Sequence, residues 1–146
     1  MGRCANEQST VLLVEDEPLQ RAHLEHMILA AGFDVLPANN AKKALSLLED
    51  RPDICAVITD IRMPGGLDGL VVAWRAAKRV PARSIIVISA YMVAGPNEQP
   101  AQDFRFFRKP IQANDLIQEI RLAVRRTQAV TDFKAYGPAA IQRLHS

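Results

Sequence analysis

Short runs of aliphatic residues alternate along the chain with longer stretches whose apolar positions recur at helical spacing. The clearest runs are residues 11–14, 56–59 and 85–88, which are apolar at nearly every position. Unbroken apolar runs of this length are typical of strands covered on both faces, as in parallel sheets. Weaker runs at residues 34–36 and 104–107 predict two further strands.

Helical spacing occupies the stretches between these strands. It predicts helices over residues 18–31, 40–50 and 69–79, and a last helix that begins near Asn114, which we interpret as an N-cap. Strands that alternate with helices favour right-handed crossovers and a parallel sheet with helices on both faces. The predicted fold class is therefore α/β, a doubly wound five-stranded parallel sheet with the strand order 2-1-3-4-5.

One position in this alternation, residues 91–103, lacks a helical pattern. Gly95, Pro96 and Pro100 disfavour a regular helix there. We therefore expect an irregular or shortened fourth helix, in the form of a loop or a single irregular turn. On the third helix, by contrast, the apolar spacing predicts that Val71 and Trp74 lie in the core or pack between the helix and the sheet.

Length and composition fit one globular domain. The chain has 146 residues, of which 49% are hydrophobic and 23% charged, and this composition excludes a disordered protein. We expect a disordered segment at residues 1–9, the domain at 10–128, and a C-terminal extension at 129–146 that is too short for an output domain. No stretch predicts a membrane span or a signal peptide, so we expect a cytoplasmic protein without a membrane partner.

The net charge and the two cysteines exclude few functions. The formal net charge is +2, which gives no reason to expect DNA as a partner. The basic residues Arg121, Arg125 and Arg126 are interpreted as a solvated face of the last helix. Cys4 and Cys55 are expected to be reduced, because Cys55 falls in an apolar strand run where a thiol packs as a small hydrophobe.

Acidic residues follow the first and third predicted strands at the point where each strand ends. Glu15, Asp16 and Glu17 come directly after the first strand, and Asp60 ends the third. Ligands of open α/β sheets bind beyond the carboxyl ends of the strands, where the strand order reverses. Crowded carboxylates repel one another unless a cation joins them, and an all-oxygen set suits Mg²⁺. Alternatively, the first three acids form a solvated turn that stabilises the N-terminus of the next helix.

Two further strand ends bring polar groups to the same edge. Ser89 follows the fourth strand, and Lys109 follows the fifth. A carboxylate, a cation site, a hydroxyl group and an ammonium group together fit phosphoryl transfer. The Asp60 carboxylate would attack phosphorus in line, while the cation, Lys109 and Ser89 stabilise charge on the equatorial oxygens.

These residues lie in sequence motifs that are specific in order and spacing. The motifs are VLLVEDEP (11–18), VITDIRMP (57–64), DG (68–69), IIVISAY (85–91) and FFRKP (106–110). With them, the chain resembles the response regulator receiver domain of two-component signalling, of the stand-alone, single-domain type with a flavodoxin-like strand order. The resemblance covers residues 10 to about 126.

The resemblance implies a phospho-accepting function. Asp60 would take a phosphoryl group from a phosphohistidine of a sensor histidine kinase or a histidine phosphotransfer protein. Asp16 and Asp60 would bind Mg²⁺ directly, together with the Arg62 backbone carbonyl, and Glu15 would act mostly through water. Such a domain is not an enzyme beyond its own autophosphorylation and autodephosphorylation.

The resemblance also implies a conformational switch. Lys109 would pair with the phosphoryl group, Ser89 would move toward it, and Phe106 would change its rotamer. The peptide bond between Lys109 and Pro110 is expected to be cis. The phosphodonor is expected to dock near Leu19 and the loop that follows Lys109.

The sequence departs from the family pattern in three places. The loop MPGGLDG after Asp60 is one residue longer than the common MP-x-x-DG. Residues 91–103 do not support the usual fourth helix, which in this family helps to form the output face. No output domain is expected after the receiver, and the oligomeric state stays open, with a homodimer as one option.

Other functions are weighed against this one. The domain would serve either as a conformational switch or as a phosphate sink within a relay. An aspartyl-nucleophile phosphatase is disfavoured, because Arg62 stands where the haloacid-dehalogenase type needs a second acid. A phosphate-independent interaction module is disfavoured by the complete set of site residues. His23 and His26 are interpreted as surface residues of the first helix rather than as metal ligands.

Overall fold

A computed structural model of the protein describes residues 9–61, 69–90 and 104–136. In these residues the strands are β1 (Thr10–Val14), β2 (Asp34–Ala38), β3 (Ile54–Asp60), β4 (Ile85–Ser89) and β5 (Arg105–Arg108). The helices are α1 (Pro18–Ala30), α2 (Ala41–Asp50), α3 (Gly69–Ala76) and α4 (Ala113–Tyr136), and a single 3₁₀ turn (Ala82–Ser84) precedes β4. All five predicted strands are confirmed.

The five strands form one parallel sheet in the order β2-β1-β3-β4-β5. This is the predicted order, and it reverses between β1 and β3. Side chains alternate across the sheet. Leu12 and Val14 face the cluster built with α2 and α3, whereas Val11 and Leu13 face the cluster built with α1 and α4. Because both faces are covered, the central strands are apolar throughout.

Local sequence signals set the ends of α1 and the start of α2. Pro18 opens α1, where its missing N–H costs nothing, and Gly32 follows the helix with a φ of 98° that favours glycine. The Asn40 side chain caps α2 by accepting a hydrogen bond from the Lys43 N–H at 2.7 Å. The prediction that Asn114 is the N-cap of the last helix is wrong, since α4 already begins at Ala113.

The inward face of α3 is made of small residues. Val72, Ala73 and Ala76 are fully buried, which allows the helix to approach the sheet closely. The sequence predicts that Trp74 lies in the core or packs against the sheet, but half of its surface is exposed. The reason is helical phase: at 3.6 residues per turn, Trp74 points away from the side that Val72 and Ala76 share. The prediction for Trp74 is therefore wrong.

The basic face predicted for the last helix is only partly solvated. Arg121 and Arg125 are exposed. Arg126 is half-buried, and its guanidinium donates a hydrogen bond to the Arg83 carbonyl at 2.9 Å and lies 3.5 Å from the Glu119 carboxylate. Arg126 thus joins α4 to the turn before β4. The sequence pattern does not predict this contact, because the acceptor is a backbone carbonyl that only a long side chain can reach.

The predicted state of Cys55 is corrected in part. Its burial within β3 is confirmed. However, Cys55 is disulfide-bonded, which contradicts the expected reduced thiol. An apolar strand pattern predicts that a cysteine is buried, but it carries no information about what lies beside the sulfur. The chain's other cysteine, Cys4, lies outside the described residues.

Several predictions fall outside the described residues. They concern the irregular segment 91–103, the longer loop with Gly65 and Gly66, and the Arg62 carbonyl. Within the described residues, the helices are all too short or too polar to cross a membrane.

Candidate functional site

The acidic residues predicted to converge do meet at the carboxyl edge of the sheet. β1 and β3 are neighbours, with Val14 paired to Thr59, so that Glu15 and Asp60 follow side by side. One carboxylate oxygen from each of Glu15, Asp16 and Asp60 lies within 4.8 Å of the others. Among the described residues this is the one group of three side chains arranged to hold a metal ion.

Glu17 has a different task from its two neighbours. Its carboxylate accepts hydrogen bonds from the Leu19 N–H at 3.2 Å and the Gln20 N–H at 2.8 Å, and so caps α1. These two N–H groups would otherwise have no partner in the first turn of the helix. The alternative interpretation of the acidic run, as a turn that stabilises a helix start, therefore holds for Glu17, whereas Glu15 and Asp16 join the cluster.

The backbone ladder continues past the strand ends and fixes the loops that carry the site. The Glu15 N–H donates to the Ala38 carbonyl at 3.0 Å. The Ile61 N–H, one residue after Asp60, donates to the Ile88 carbonyl at 3.0 Å, and the Lys109 N–H donates to the Ser89 carbonyl at 2.8 Å. Glu15, Asp60 and Lys109 therefore stand where backbone ladder bonds hold the strand ends, and not in free loops.

Lys109 is the centre of the site's hydrogen bonds. Its ammonium group donates to Asp60 Oδ2 at 2.7 Å, to Glu15 Oε1 at 2.8 Å and to Gln20 Oε1 at 2.7 Å. The Lys109–Pro110 peptide bond is cis, as expected. Lys109 from β5 is thereby joined to the ends of both β1 and β3.

Burial and ion pairing act against each other on these groups. Burial raises the pKa of the Glu15 carboxyl above its usual range, and the hydrogen bond from Lys109 opposes this shift without cancelling it. Burial lowers the pKa of Lys109, but its hydrogen bonds to Asp60 and Glu15 outweigh burial, so the net pKa is raised. The ammonium group is therefore firmly protonated at neutral pH, as the binding of an anion requires.

Arg21 supports the acidic loop from the side of α1. Its guanidinium donates a hydrogen bond to the Glu15 carbonyl at 2.9 Å and a longer one to the Asp16 carbonyl at 3.4 Å. Neither Arg21 nor Gln20 was identified from the sequence. The available signal was that both follow Glu17 in the first turn of α1, next to the acidic residues, but a polar first turn is common on surface helices.

The two residues assigned to the switch occupy neighbouring strands. Ser89 ends β4, is buried, and stands one residue beyond Ile88, the partner of Asp60 in the sheet. Phe106 is half-buried on β5 opposite Val87. Its ring lies 6.4 Å from that of Phe104, centroid to centroid, at a tilt of 54°. Both residues are therefore close to the site edge, on the side of the sheet that leads to β5.

A groove of about 460 Å³ opens beside Lys109, between α1 and the segment that follows β5. Gln20, His23 and Leu24 line one wall, and Pro110 and Ile111 line the other. Leu19, in the same turn of α1 as Gln20, is 79% exposed. The groove thus combines an apolar surface with the side chain of Lys109 in its lining.

The two histidines of α1 lie on its surface. Both His23 and His26 are exposed, which agrees with their interpretation as surface residues. Only His23 reaches the groove.

Comparison with known proteins gives matches over most of the chain. The sequence matches the family described as response regulator receiver domain over residues 11–121. The positive alginate biosynthesis regulatory protein of Pseudomonas aeruginosa is 36% identical over 119 residues, which cover 79% of this chain and 47% of that protein. The chain therefore spans about half the length of this relative.

Solved receiver structures share the fold. A response regulator receiver protein from Sinorhizobium medicae has a TM-score of 0.72 and 28% identity, with coverage of 81% of this chain and 95% of that one. The receiver domain of the sensor histidine kinase PA1611 from Pseudomonas aeruginosa, with a magnesium ion in its active site cleft, has a TM-score of 0.68 and 25% identity, and the match covers 80% and 98% of the two chains. Since the family match extends from β1 into α4, the chain belongs to the response regulator receiver domain family of two-component signalling.

Proposed function

We propose that the chain accepts a phosphoryl group on Asp60 from the phosphohistidine of a sensor histidine kinase or a histidine phosphotransfer protein. The observation that carries the proposal is the Lys109 ammonium group, which lies 2.7 Å from Asp60 Oδ2 within the cluster of three carboxylates. The Asp60 side chain is 12% exposed, so it is accessible at the edge of the sheet while its strand is buried.

The chemistry follows from the positions of these groups. An Asp60 carboxylate oxygen attacks phosphorus in line as the P–N bond of the donor breaks, and the new bond is P–O. The leaving nitrogen of the imidazole takes the electron pair of the broken bond. Lys109 then stabilises negative charge on a phosphoryl oxygen, because its ammonium group is already held at the attacking carboxylate.

The donor set fits Mg²⁺. In the ionised state, three carboxylates against one ammonium leave a formal charge of −2, which a divalent cation balances. Asp16 and Asp60 would hold the ion directly and Glu15 through water, with the Arg62 carbonyl, outside the described residues, as a further ligand. When bound, Mg²⁺ supplies positive charge that offsets the charge of the phosphoryl oxygens. The magnesium ion in the related PA1611 receiver domain supports this assignment.

Phosphorylation would be transmitted through Ser89 and Phe106. The Ser89 hydroxyl would turn toward the phosphoryl group, and the ring of Phe106 would change its rotamer on β5. The Ser89 carbonyl accepts a hydrogen bond from the Lys109 N–H. The two residues proposed to contact the phosphoryl group, Ser89 and Lys109, are therefore already joined through the backbone. Such a switch needs two states that interact differently with the phosphoryl group.

The groove beside Lys109 is the proposed docking place for the phosphodonor. Its apolar walls and the exposed Leu19 offer a surface for a helix of the partner, next to the acceptor carboxylate. A partner docked there could bring its phosphohistidine to Asp60 from the solvent side. We propose no DNA contact for this domain.

Incubation with Mg²⁺ and phosphoramidate, a small phosphodonor, tests the proposal. Intact-mass analysis should show one added phosphoryl group on the wild-type chain and none after removal of Mg²⁺ by EDTA. Asp60→Asn should prevent the addition, whereas Asp115→Asn, an exposed aspartate of α4, should not. Phosphorylation of the Asp60→Asn variant would contradict the assignment, and multiple-turnover hydrolysis of a phosphate ester would favour a phosphatase instead.

The switch is tested separately with beryllofluoride, which mimics an aspartyl phosphate. Amide resonances along β4 and β5 should shift when beryllofluoride and Mg²⁺ are added to the wild type. Ser89→Ala should reduce the shift at Phe106 while leaving the shift at Asp60. Unchanged resonances at Phe106 in the wild type would contradict the proposed role of that ring.

A further inference from the structure

Gln20 makes a hydrogen bond inside the site that the receiver motifs do not account for. Its side-chain carbonyl accepts from the Lys109 ammonium group at 2.7 Å, as close as the bond between Lys109 and Asp60. An ammonium group has three N–H donors. With Glu15, Asp60 and Gln20 as acceptors, all three are used, so a phosphoryl oxygen can bind Lys109 only by replacing one of them.

The three acceptors differ in what their release would cost. Glu15 and Asp60 are carboxylates whose side chains are only 3% and 12% exposed. While the phosphodonor approaches, both carboxylates are still ionised, and loss of Lys109 would leave either buried charge with one cation fewer, which is strongly unfavourable. Gln20 is a neutral amide on an exposed position of α1, and its freed carbonyl would bond to water at little cost. Before the phosphoryl group is transferred, Gln20 is therefore the acceptor most easily given up.

We propose that Gln20 is a positioning residue for Lys109, and that its carbonyl is the acceptor which the phosphoryl oxygen replaces. In the unphosphorylated protein Gln20 holds the ammonium group at the mouth of the site. As the phosphoryl group arrives, Lys109 keeps its ionic partner Glu15 and transfers the Gln20 bond to a phosphoryl oxygen. Once the P–O bond has formed, Asp60 is an acyl phosphate without a carboxylate charge, and Lys109 remains paired with Glu15 and the phosphoryl group. The inference rests on the proposed function of Asp60 as the acceptor.

The proposed role requires that the Gln20 side chain is uncharged. A glutamate at position 20 would surround Lys109 with a third carboxylate, which holds the ammonium group more strongly and repels the incoming phosphoryl group. A methionine would fill similar space without offering a strong acceptor, so the third N–H of Lys109 would already be free. The two substitutions therefore change the rate of phosphorylation in opposite directions.

Rates of phosphorylation by phosphoramidate with Mg²⁺ test this prediction, because a small donor excludes effects on partner docking at α1. Gln20→Glu should slow the reaction by about tenfold or more, and Gln20→Met should speed it by about threefold, as expected for one charged and one neutral hydrogen bond. Gln118→Glu, the same change at an exposed position of α4, is the matched control and should react like the wild type. A Gln20→Glu rate equal to that of Gln118→Glu, or a Gln20→Met rate no faster than wild type, overturns the inference.

The side-chain amide resonances of Gln20 provide a second test. They would not change on phosphorylation if Gln20 had only a structural role. They should shift when beryllofluoride and Mg²⁺ are added to the wild type, and should shift in the same direction in Lys109→Ala without any addition. An unmoved Gln20 signal in a wild-type chain that is phosphorylated normally overturns the inference alone. A wild-type chain that takes no phosphoryl group and does not respond to beryllofluoride overturns the proposed function and this inference with it.

Discussion

The backbone of Gly69 lies directly against the carbonyl of Asp60. A Cβ atom placed on Gly69 would overlap the Asp60 carbonyl oxygen and would fall 2.8 Å from the Thr59 hydroxyl oxygen. The Gly69 N–H also donates to the Ile61 carbonyl at 2.7 Å, so that the start of α3 is fixed to the residue after the acceptor. The contact shows that the position of α3 and the position of Asp60 depend on each other.

Gly69→Ala is therefore expected to displace either α3 or the Asp60 backbone. Since the neighbouring atoms belong to the backbone and to a buried hydroxyl group, they have little room to move. We expect a loss of about 1–3 kcal/mol in the free energy of unfolding, measured with urea, together with slower phosphorylation by a small donor.

Gly32→Ala is the matched control for this prediction. Gly32 has a φ of 98°, so alanine there should also destabilise the fold, by about 1 kcal/mol. It lies after α1, at the far end of that helix from the acidic cluster, and phosphorylation by phosphoramidate should keep its wild-type rate. Equal phosphorylation rates in the two variants would show that the contact at Asp60 has no effect on the acceptor.

Arg21→Met is expected to weaken Mg²⁺ binding. The guanidinium bonds to the carbonyls of Glu15 and Asp16 hold the loop that carries two of the proposed ligands. Loss of such a supporting contact should lower the affinity for Mg²⁺ by about tenfold, as measured by titration calorimetry. Arg125→Met removes the same charge from an exposed position of α4 and should change the affinity little. A similar fall in both variants would indicate a general effect of charge and would argue against the supporting role.

The convergence of Asp16, Asp60 and Lys109 could be predicted because it depends on topology alone. Once the apolar runs identify the central strands of a parallel sheet, the residue after each run must lie at the same edge. The geometry within a few ångströms is then set by the ladder bonds that continue past each strand, such as that from Ile61 to Ile88. The strand pattern in the sequence and the backbone hydrogen bonds together therefore determine where these site residues lie.

Other contacts could not be predicted, since they depend on how helices are rotated and how far long side chains reach. The exposure of Trp74 follows from the phase of α3 against the sheet, and its apolar neighbours occur on both sides in the sequence. Gln20 and Arg21 act through the ends of flexible side chains, whose rotamers are fixed only when α1 is packed beside β5. Sequence spacing does not contain that information.

Asp53 should make stability depend on pH in the acidic range. Arg51 binds its carboxylate through two hydrogen bonds, at 2.7 and 2.9 Å, and Thr10 donates a third at 3.0 Å. The guanidinium of Arg51 is the main reason that the pKa of Asp53 is lowered from 3.8 to about 2. The stabilisation is therefore complete above about pH 4, the ordinary range of the aspartate pKa, and is lost as the pH falls toward 2.

Asp53→Asn tests this dependence. The variant should be less stable than the wild type at neutral pH, and the difference should shrink as the pH is lowered from about 4 to about 2. Thermal unfolding at a series of pH values measures both. Asp50→Asn, at the exposed end of α2, should show no such convergence with the wild type. A difference between Asp53→Asn and the wild type that stays constant with pH would contradict the role of the Arg51 contact.

Thr127→Val is expected to destabilise the joint between α4 and the sheet. The Thr127 hydroxyl is buried and donates to the Cys55 carbonyl at 2.6 Å, while the Ser84 hydroxyl beside it donates to the Ala123 carbonyl at 2.6 Å. Valine has the same shape but leaves the Cys55 carbonyl without this donor, which should lower the free energy of unfolding by about 1–3 kcal/mol in urea titrations.

Thr131→Val is the matched control, because Thr131 is exposed and its hydroxyl donates to the Thr127 carbonyl one turn earlier on the same helix. Its loss should stay within about 0.5 kcal/mol. If both variants lose the same stability, the buried bond to Cys55 contributes no more than a surface hydroxyl, and α4 is held by apolar packing alone.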